Sequence, residues 1–168
     1  MDEKLVKKTE KSRDELLASA QTLGISILSH SSDDAVLPDS GFAPFIRQNG
    51  QFYIYSSRLS SHVRSLIDGQ PAQFFLIADE GASQNIWARV RLKFTARTTE
   101  IARDADNFEQ ILDKIGAAHG PVMDLIRDFT DFHLFEITPE RGTLVTGFAA
   151  AFEVKGPDFN LIAHLTQG

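Results

Sequence analysis

The dipeptide Asn49-Gly50 constrains the fold more than any other local feature of this sequence. The flanking segments, residues 42–48 and 51–56, are rich in apolar and aromatic side chains. Asn-Gly tolerates the positive φ angles of a type I′ turn, so the pattern predicts an antiparallel β-hairpin. Pro44 cannot donate a hydrogen bond to a strand ladder, and we therefore expect an edge or a bulge at that point of the first strand.

The rest of the chain predicts a β-rich domain with helices inserted between its strands. Apolar runs or apolar–polar alternation predict further strands at residues 25–28, 72–78, 86–95, 132–138, 143–146 and 148–154. Helical spacing of apolar residues predicts helices within residues 3–22, directly after the hairpin, and on both sides of Gly120-Pro121. Six or seven strands joined by hairpins favour an α+β class that is mainly β, a small barrel with peripheral helices.

Length and composition limit the classes of function. At 168 residues we expect one domain over residues 1–168, with an N-terminal helix in 1–22 and a tail at 156–168. The net charge of −6 argues against nucleic-acid and anionic-membrane partners. The chain has no cysteine, which excludes disulfides and thiolate ligands. It has no apolar leader and no apolar run of membrane-spanning length, so we expect a cytoplasmic protein.

His62 is the first candidate functional residue. It falls within an apolar stripe at helical spacing, so we expect it on the inward face of a short helix. The stripe consists of Leu59, Val63, Leu66 and Ile67, and the start of the helix is rich in serine at Ser56, Ser57, Ser60 and Ser61. A histidine in such a position serves as a ligand, as an acid–base group or as a hydrogen-bonded core residue. The residues alone leave these three interpretations open.

A group of basic residues allows two interpretations. Arg89, Arg91 and Lys93 alternate with apolar residues on a predicted strand. A solvated strand face is the favoured interpretation, because charged side chains are mostly exposed. The alternative is a cradle for phosphate or propionate groups, with Arg58 and Arg64 as further cations.

Asp131 and the remaining histidines complete the candidates. Asp131 lies between Phe129 and Phe132, where a carboxylate either needs a partner or starts a strand. His164 lies among apolar residues whose spacing is typical of a small packing helix. The five histidines are scattered without zinc spacing, and the sequence holds no hydrolase, zincin, P-loop or dinucleotide-binding motif.

Several segments carry a family resemblance, from about residue 23 to the end of the chain. They are residues 40–46 (SGFAPFI), 52–57 (FYIYSS), 88–92 (ARVRL), 116–120, 131–135 (DFHLF), 139–142 (PERG) and 147–148, with Ser61-His62 at the start of the helix. Together they resemble the haem-iron-utilisation proteins of the pyridoxamine-phosphate-oxidase-like split-barrel superfamily. The A-P-F segment, combined with G-F-x-x-A near the end, is typical of the haem branch.

The resemblance implies a six-stranded split β-barrel that forms a homodimer, with a ligand in the crevice between the subunits. It implies haem binding in haem-iron utilisation, with oxidative haem degradation as the enzymatic form of that function. Whether haem is degraded or only bound stays open at this point.

The resemblance also assigns roles to residues. Asp131 matches an aspartate that hydrogen-bonds the iron-binding histidine, and His62 matches a second histidine near the haem. A carboxylate partner strengthens an imidazole ligand and fixes its tautomer, so both residues are candidate catalytic residues. The candidate cofactor-binding residues are these two together with Ser56, Ser57, Arg58, Ser61, Arg64, Arg89 and Arg91.

The iron ligand of the family is a histidine in the C-terminal tail. His164 is the tail histidine of this sequence and is therefore the candidate metal ligand. The matching position of the family falls just past Gly168, so a ligand beyond that residue, or binding without a tail ligand, are the alternatives.

The alternative function is that of an FMN-binding oxidoreductase related to pyridoxamine 5′-phosphate oxidase. In that branch an Arg-Lys pair following a serine holds the flavin phosphate, and here those positions resemble Ser61 and His62. The charges that pair with the phosphate are missing, although Arg58, Arg64 and the serine hydroxyls are partial replacements. We therefore favour haem over FMN.

Overall fold

The computed structural model describes residues 2–31, 33 and 35–165. Within them lie four α-helices, α1 (Glu3–Ser19), α2 (Ser61–Ile67), α3 (Phe108–His119) and α4 (Val122–Ile126), and one 3₁₀ turn (Ile86–Ala88). The strands of the same residues are β1 (Thr22–His30), β2 (Val36–Gln48), β3 (Gln51–Ser57), β4 (Ala72–Ile77), β5 (Arg91–Ile101), β6 (Phe132–Gly147), β7 (Ala150–Lys155) and β8 (Asn160–Leu165). The prediction of a mainly β fold with helices is confirmed.

All strand pairs are antiparallel, and the pairing closes a ring. The order in the sheet is β3-β2-β1-β4-β5-β6-β7-β8, and β3 also pairs with β6. The ring therefore runs through six strands, while β7 and β8 extend beyond it. Strand β6 both closes the ring and carries the extension, because its first half pairs with β3 and its second half pairs with β7.

The predicted hairpin is confirmed. Strands β2 and β3 pair from Gln48 and Gln51 outward, and the turn between them has φ angles of 51° at Asn49 and 82° at Gly50. Both angles lie in the left-handed region that a type I′ turn requires. Pro44 pairs with β1 but lies beyond the last residue pair of the β2–β3 ladder, so it forms an edge on that side.

One apolar layer lies on each side of β3 and of the first half of β6, which gives an inner and an outer layer. Along β3, Phe52 packs inside the ring and Tyr53 packs outside it, because side chains alternate between the faces of a strand. Buried side chains of the inner layer include Phe45, Phe74, Phe94, Phe135 and Phe159. The outer layer joins α3 and α4 to the ring through Tyr55, Phe108, Ile111, Leu112, Ile115, Met123 and Leu134. Burial of each large side chain contributes roughly 1.5–3 kcal/mol, so this packing holds the end of β3 against the start of β6.

Some predicted elements were wrong. The sheet has eight strands rather than six or seven: the segments predicted at 132–138 and 143–146 form the single strand β6, and the tail adds the strand β8. The tail that was predicted as a helix forms β8, which returns beside β7 after a tight turn with positive φ at Gly156 and Phe159. Residues 166–168 of that tail lie outside the described residues. None of the described helices is long and apolar enough to cross a membrane.

The strand predicted at 86–95 was also wrong at its start. Residues 86–88 form the 3₁₀ turn, which begins where the Asn85 side chain accepts a hydrogen bond from the Trp87 amide at 3.0 Å. Strand β5 begins at Arg91 because its pairing with β4 begins there, opposite Ile77. Arg89 therefore precedes the strand, and the three basic residues do not form one ladder.

Candidate functional site

The first group of candidate residues lies where α2 packs against β1 and β2; we call it the α2 cluster (Ser29, Asp39, Ser61, His62 and Ser65). The Asp39 carboxylate accepts hydrogen bonds from the Ser61 hydroxyl and, at 3.3 Å, from the Ser29 hydroxyl. The hydroxyls of Ser29 and Ser65 lie 2.8 Å apart and are buried. The Ser61 hydrogen bond, opposed by partial burial, holds the pKa of Asp39 below its usual 3.8, so this carboxylate is ionised at neutral pH.

The His62 ring packs against β2 at Gly41, where the lack of a side chain leaves room for it. A Cβ atom placed at Gly41 would lie 2.1 Å from Cε1 and 2.4 Å from Nε2 of the His62 ring. The imidazole therefore occupies the space that any other residue at position 41 would fill. Partial burial lowers the pKa of His62 from its usual 6.5, although the charge of Asp39 opposes this shift, so the ring is neutral at pH 7.

The second group lies where β3 ends and β6 begins; we call it the Asp131 junction (Ser57, Arg58 and Asp131). The Ser57 hydroxyl donates to Oδ2 of Asp131. The Arg58 amide donates to the Asp131 carbonyl at 2.8 Å. The Ser57 oxygen in turn accepts from the Leu59 amide at 3.1 Å, so the turn after β3 and the residue before β6 hold each other.

Arg64 connects the two groups. Its guanidinium Nη1 donates to the carbonyls of Arg58 and Leu59, both at 2.9 Å, and so ties α2 to the turn after β3. Arg58 itself is exposed, and its guanidinium makes no hydrogen bond or ion pair with the described residues. The structure thus brings together five predicted positions, Ser57, Arg58, Ser61, His62 and Arg64, with Asp131.

The expected position of Leu59 was wrong. Leu59 precedes α2 and is 81% exposed, whereas Val63 and Leu66 form the buried face of the helix. The stripe is therefore shorter than the sequence predicts, because the helix begins at Ser61 rather than before Leu59.

The two candidate arginines before and in β5 lie elsewhere. Arg89 donates through Nε to the Ala78 carbonyl at 2.6 Å and lies 3.4 Å from the Glu80 carboxylate. Arg91 pairs with Val145 near the end of β6, whereas Asp131 precedes the start of that strand. Neither arginine joins the α2 cluster or the Asp131 junction within one chain.

His164 is also separated from Asp131. It pairs through Phe152 with the second half of β6, and its ring stacks on Phe152 with 4.7 Å between centroids. Its Nε2 donates to the Ala149 carbonyl at 2.7 Å, which leaves Nδ1 as the nitrogen with a free lone pair. The role of His164 as a metal ligand stays a prediction. No group of three or more His, Cys, Asp or Glu side chains in the described residues is placed to hold a metal ion.

Sequence reasoning missed two acidic partners. Asp39 was not marked by any motif, since its contact with Ser61 arises only when α2 packs on the sheet. Glu100 accepts a hydrogen bond from Nδ1 of His133 at 2.6 Å across the β5–β6 pair. Nε2 of His133 is buried and has no hydrogen-bond partner among the described residues. Ser56, another predicted binding residue, lies opposite His133 in the β3–β6 ladder.

An apolar patch formed by Phe42, Phe75 and Ile77 lies on the outside of the ring of strands. We call this patch the outer face. Phe42 and Phe75 both pair with Gly24, one from each neighbouring strand, and the Phe75 ring covers that glycine. Phe42 is 73% exposed, and all three side chains line a cleft of about 410 Å³. Because side chains alternate along β2, this face lies opposite the one that Gly41 presents to His62.

Comparison with known proteins identifies the family of this chain. No family model matches the chain. Over 131 residues, 78% of this chain and 74% of the relative, it is 30% identical to the haem oxygenase HutZ of Vibrio cholerae. The chain belongs to the HutZ family. HutZ is a haem protein, so the resemblance of the sequence to haem-iron-utilisation proteins is confirmed.

Solved structures agree with this family. The structure of HutZ, described as a haem storage protein of Vibrio cholerae, matches with a TM-score of 0.71 and 25% identity, over 83% of this chain and 94% of that one. ChuZ of Campylobacter jejuni matches with a TM-score of 0.77 and 22% identity, over 94% of this chain and 63% of ChuZ. A pyridoxinephosphate oxidase family protein of Clostridium acetobutylicum matches with a TM-score of 0.61 and 14% identity, over 92% and 96% of the two chains. The last two show the fold alone.

Proposed function

We propose that this protein binds haem and serves in haem-iron utilisation. The observation that carries the proposal is the neutral, half-buried imidazole of His62, fixed in the space above Gly41. Neutral imidazole is the form that binds iron or accepts a hydrogen bond from a ligand on iron. The relative HutZ, described as a haem oxygenase and as a haem storage protein, supports this function.

The candidate side chains suit the three chemical parts of haem. We place His62 near the iron, as the second histidine beside the haem, and the exposed guanidinium of Arg58 at a propionate. Leu59, which follows Arg58, and Phe129, two residues before Asp131, have exposed apolar side chains that suit the porphyrin edge. We place haem across the α2 cluster, which carries His62, and the Asp131 junction, which Arg64 connects to it.

Asp131 is proposed to orient an imidazole that binds the iron. Ser57 occupies its Oδ2, and Oδ1 accepts no hydrogen bond from the described residues, so it is free to accept an imidazole N–H. Such a bond raises the donor strength of the imidazole. Bound haem supplies an iron centre whose reactivity towards oxygen depends on its axial ligand and on the polarity of the pocket.

An absorption titration with haemin tests this function. We expect a saturating Soret shift at one haem per chain, altered in His62→Ala and in Asp131→Asn. His119→Ala is the control, because His119 ends α3 and its ring donates a hydrogen bond to the Phe45 carbonyl, outside both groups. His164→Ala tests the tail ligand in the same titration. Unchanged spectra in both His62→Ala and Asp131→Asn would contradict the site.

FMN remains the alternative ligand, since the fold is shared with pyridoxamine-phosphate-oxidase-like proteins. The geometry of the α2 cluster disfavours it. The Ser61 hydroxyl already donates to Asp39, and a carboxylate at that position repels a phosphate. Tight FMN uptake without a Soret shift, released by Arg89→Ala, would favour the flavin function instead.

We further propose that the ring is the split barrel of the superfamily, formed as one domain over residues 1–168, and that two chains associate as a homodimer through the outer face. Exposed apolar patches of this kind mark association surfaces. Arg91 and Lys93, which line the neighbouring cleft of about 390 Å³, flank the patch with positive charge. A cytoplasmic location stays a prediction.

Light scattering tests the dimer. We expect the unaltered chain to have the mass of two chains and Phe42→Glu to have the mass of one, because an unpaired carboxylate in an apolar interface is strongly unfavourable. Phe148→Glu is the control, since Phe148 is 68% exposed but lies in the turn between β6 and β7, outside the outer face. A monomeric mass for the unaltered chain would contradict the proposal.

A further inference from the structure

We propose that Arg103 is a positioning residue for Asp131, an inference that rests on the proposed role of Asp131 in haem binding. Arg103 follows β5 and lies in neither the α2 cluster nor the Asp131 junction. Its guanidinium nevertheless donates to backbone carbonyls on both sides of Asp131.

The contacts of Arg103 span the whole connection between α4 and β6. Nη1 donates to the Arg127 carbonyl at 3.1 Å, at the end of α4. Nη2 donates to the carbonyl of Phe129 and, at 3.1 Å, to the carbonyl of Phe132, the first residue of β6. The Arg127 carbonyl lies at the end of α4, where helix geometry leaves it without a partner in the helix, the Phe129 carbonyl lies in the connection, and the Phe132 carbonyl belongs to the start of β6.

Tyr55 completes the arrangement from the ring side. Its hydroxyl donates to the Arg127 carbonyl at 2.8 Å and accepts from Nη2 of Arg103 at 3.1 Å. The Arg103 guanidinium also lies 5.5 Å from the centroid of the Phe108 ring on α3. Because Tyr55 and Phe108 belong to the outer apolar layer, the guanidinium is fixed relative to the ring of strands.

The planar guanidinium explains why this position calls for arginine. It presents five N–H donors in a rigid fork, whereas a lysine ammonium concentrates its donors at one point and cannot reach three carbonyls at once. Arg103 is exposed, so screening by water weakens its charge, and its effect comes from geometry. The consequence is that Asp131 is held where Ser57 reaches its carboxylate and Arg58 reaches its carbonyl.

Hydrogen exchange tests this inference without haem. The probe is the Arg58 amide, which donates to the Asp131 carbonyl, and the internal reference is the Ile25 amide in the buried part of β1. Relative to that reference, we expect Arg103→Lys to speed exchange at Arg58 about tenfold, the effect of losing hydrogen bonds to a charged group. Tyr53→Phe is the matched control. Tyr53 belongs to the same apolar layer as Tyr55, and the substitution removes its hydrogen bond to Glu136 without changing a contact of residues 127–132.

An unchanged exchange ratio in Arg103→Lys, or an equal change in Tyr53→Phe, would overturn the inference. If Arg103→Lys does not fold, Tyr55→Phe replaces it, since it removes the hydroxyl shared by Arg103 and the Arg127 carbonyl. We expect a smaller increase in the same direction, and no increase would overturn the inference.

The haem-bound protein provides a second, independent readout. We expect Arg103→Lys to alter the Soret spectrum as Asp131→Asn does and to add nothing in the Asp131→Asn background, because both act on the same carboxylate. Independent, additive changes would overturn the inference. If the unaltered protein binds no haem, the proposed function fails, while the exchange experiment still decides the role of Arg103.

Discussion

The α2 cluster and the Asp131 junction hold their key side chains in different ways. His62 is held by packing, because its ring fills the space left by Gly41 beneath a helix whose Val63 and Leu66 are buried. Asp131 is held by hydrogen bonds, from the Ser57 hydroxyl to its side chain and from the Arg58 amide to its backbone. The first arrangement is therefore sensitive to an added atom, and the second is sensitive to a lost donor.

Gly41→Ala should have the largest effect, because it breaks the packing arrangement. The new methyl group overlaps the end of the His62 ring, so we expect the ring to move out and the free energy of unfolding to fall by about 1–3 kcal/mol. Urea denaturation measures the stability, and the NMR signals of the His62 ring report its position. In a His62→Ala background the same change should cost almost nothing; an undiminished cost there would show that the ring is not the obstacle.

Ser57→Ala should have the next largest effect, because it breaks the hydrogen-bonded arrangement. The half-buried Asp131 carboxylate loses its donor, and we expect the free energy of unfolding to fall by about 1–2 kcal/mol. Urea denaturation again measures the change. Ser56→Ala is the control, since the neighbouring hydroxyl makes no hydrogen bond with the described residues; equal losses in the two variants would contradict the role given to Ser57.

Arg64→Met sharpens the comparison by removing the connection between the two groups. Its hydrogen bonds to the carbonyls of Arg58 and Leu59 are exposed, so we expect a loss of only about 0.5–1 kcal/mol. A double-mutant cycle between Gly41→Ala and Ser57→Ala measures the coupling with and without Arg64. Coupling that persists in Arg64→Met would mean that another contact links the groups.

The smallest effect is expected from pH. Burial lowers the pKa of His62 below the unfolded value of 6.5, so the folded state binds this proton less readily than the unfolded state. The contribution of His62 to the free energy of unfolding should therefore be fully present above pH 6.5. It should fall as the pH drops below 6.5 towards the pKa of His62 in the folded state. Asp39, whose pKa lies below 3.8, stays charged in this window.

Urea midpoints at about pH 7.5 and about pH 5.5 check this dependence, because the window lies below the ordinary histidine pKa. We expect the midpoint difference to shrink in His62→Gln, which cannot take up a proton. An equal difference in both proteins would assign the pH dependence to other groups.

Local signals in the sequence predicted the elements of both groups but not their contacts. The hairpin at Asn49-Gly50 and the helix carrying His62 follow from turn chemistry and from the spacing of apolar residues. The partners of these residues could not be predicted, since Asp39 and Ser61 are 22 residues apart, and Ser57 and Asp131 are 74 apart. Only the closure of the ring through β3 and β6 brings the second pair together.

The elements that were predicted wrongly also depend on contacts between residues far apart in the chain. Two predicted strands are the single strand β6 because Arg141 and Gly142 continue the ladder with β5 rather than turning. The tail around His164 forms a strand because the exposed edge of β7 provides backbone partners for it.

By itself, the sequence determined the mainly β class with helices, the hairpin, His62 and Asp131 as candidates, and the haem-utilisation family. These follow from side-chain periodicity, turn residues and motifs, which are properties of short segments. Only the tertiary structure decided that Arg64 joins the two groups, that Arg103 reaches the backbone around Asp131, and that Arg89 and His164 lie elsewhere. The physical reason is that these contacts depend on strand register and ring closure, which set distances between residues far apart in the chain.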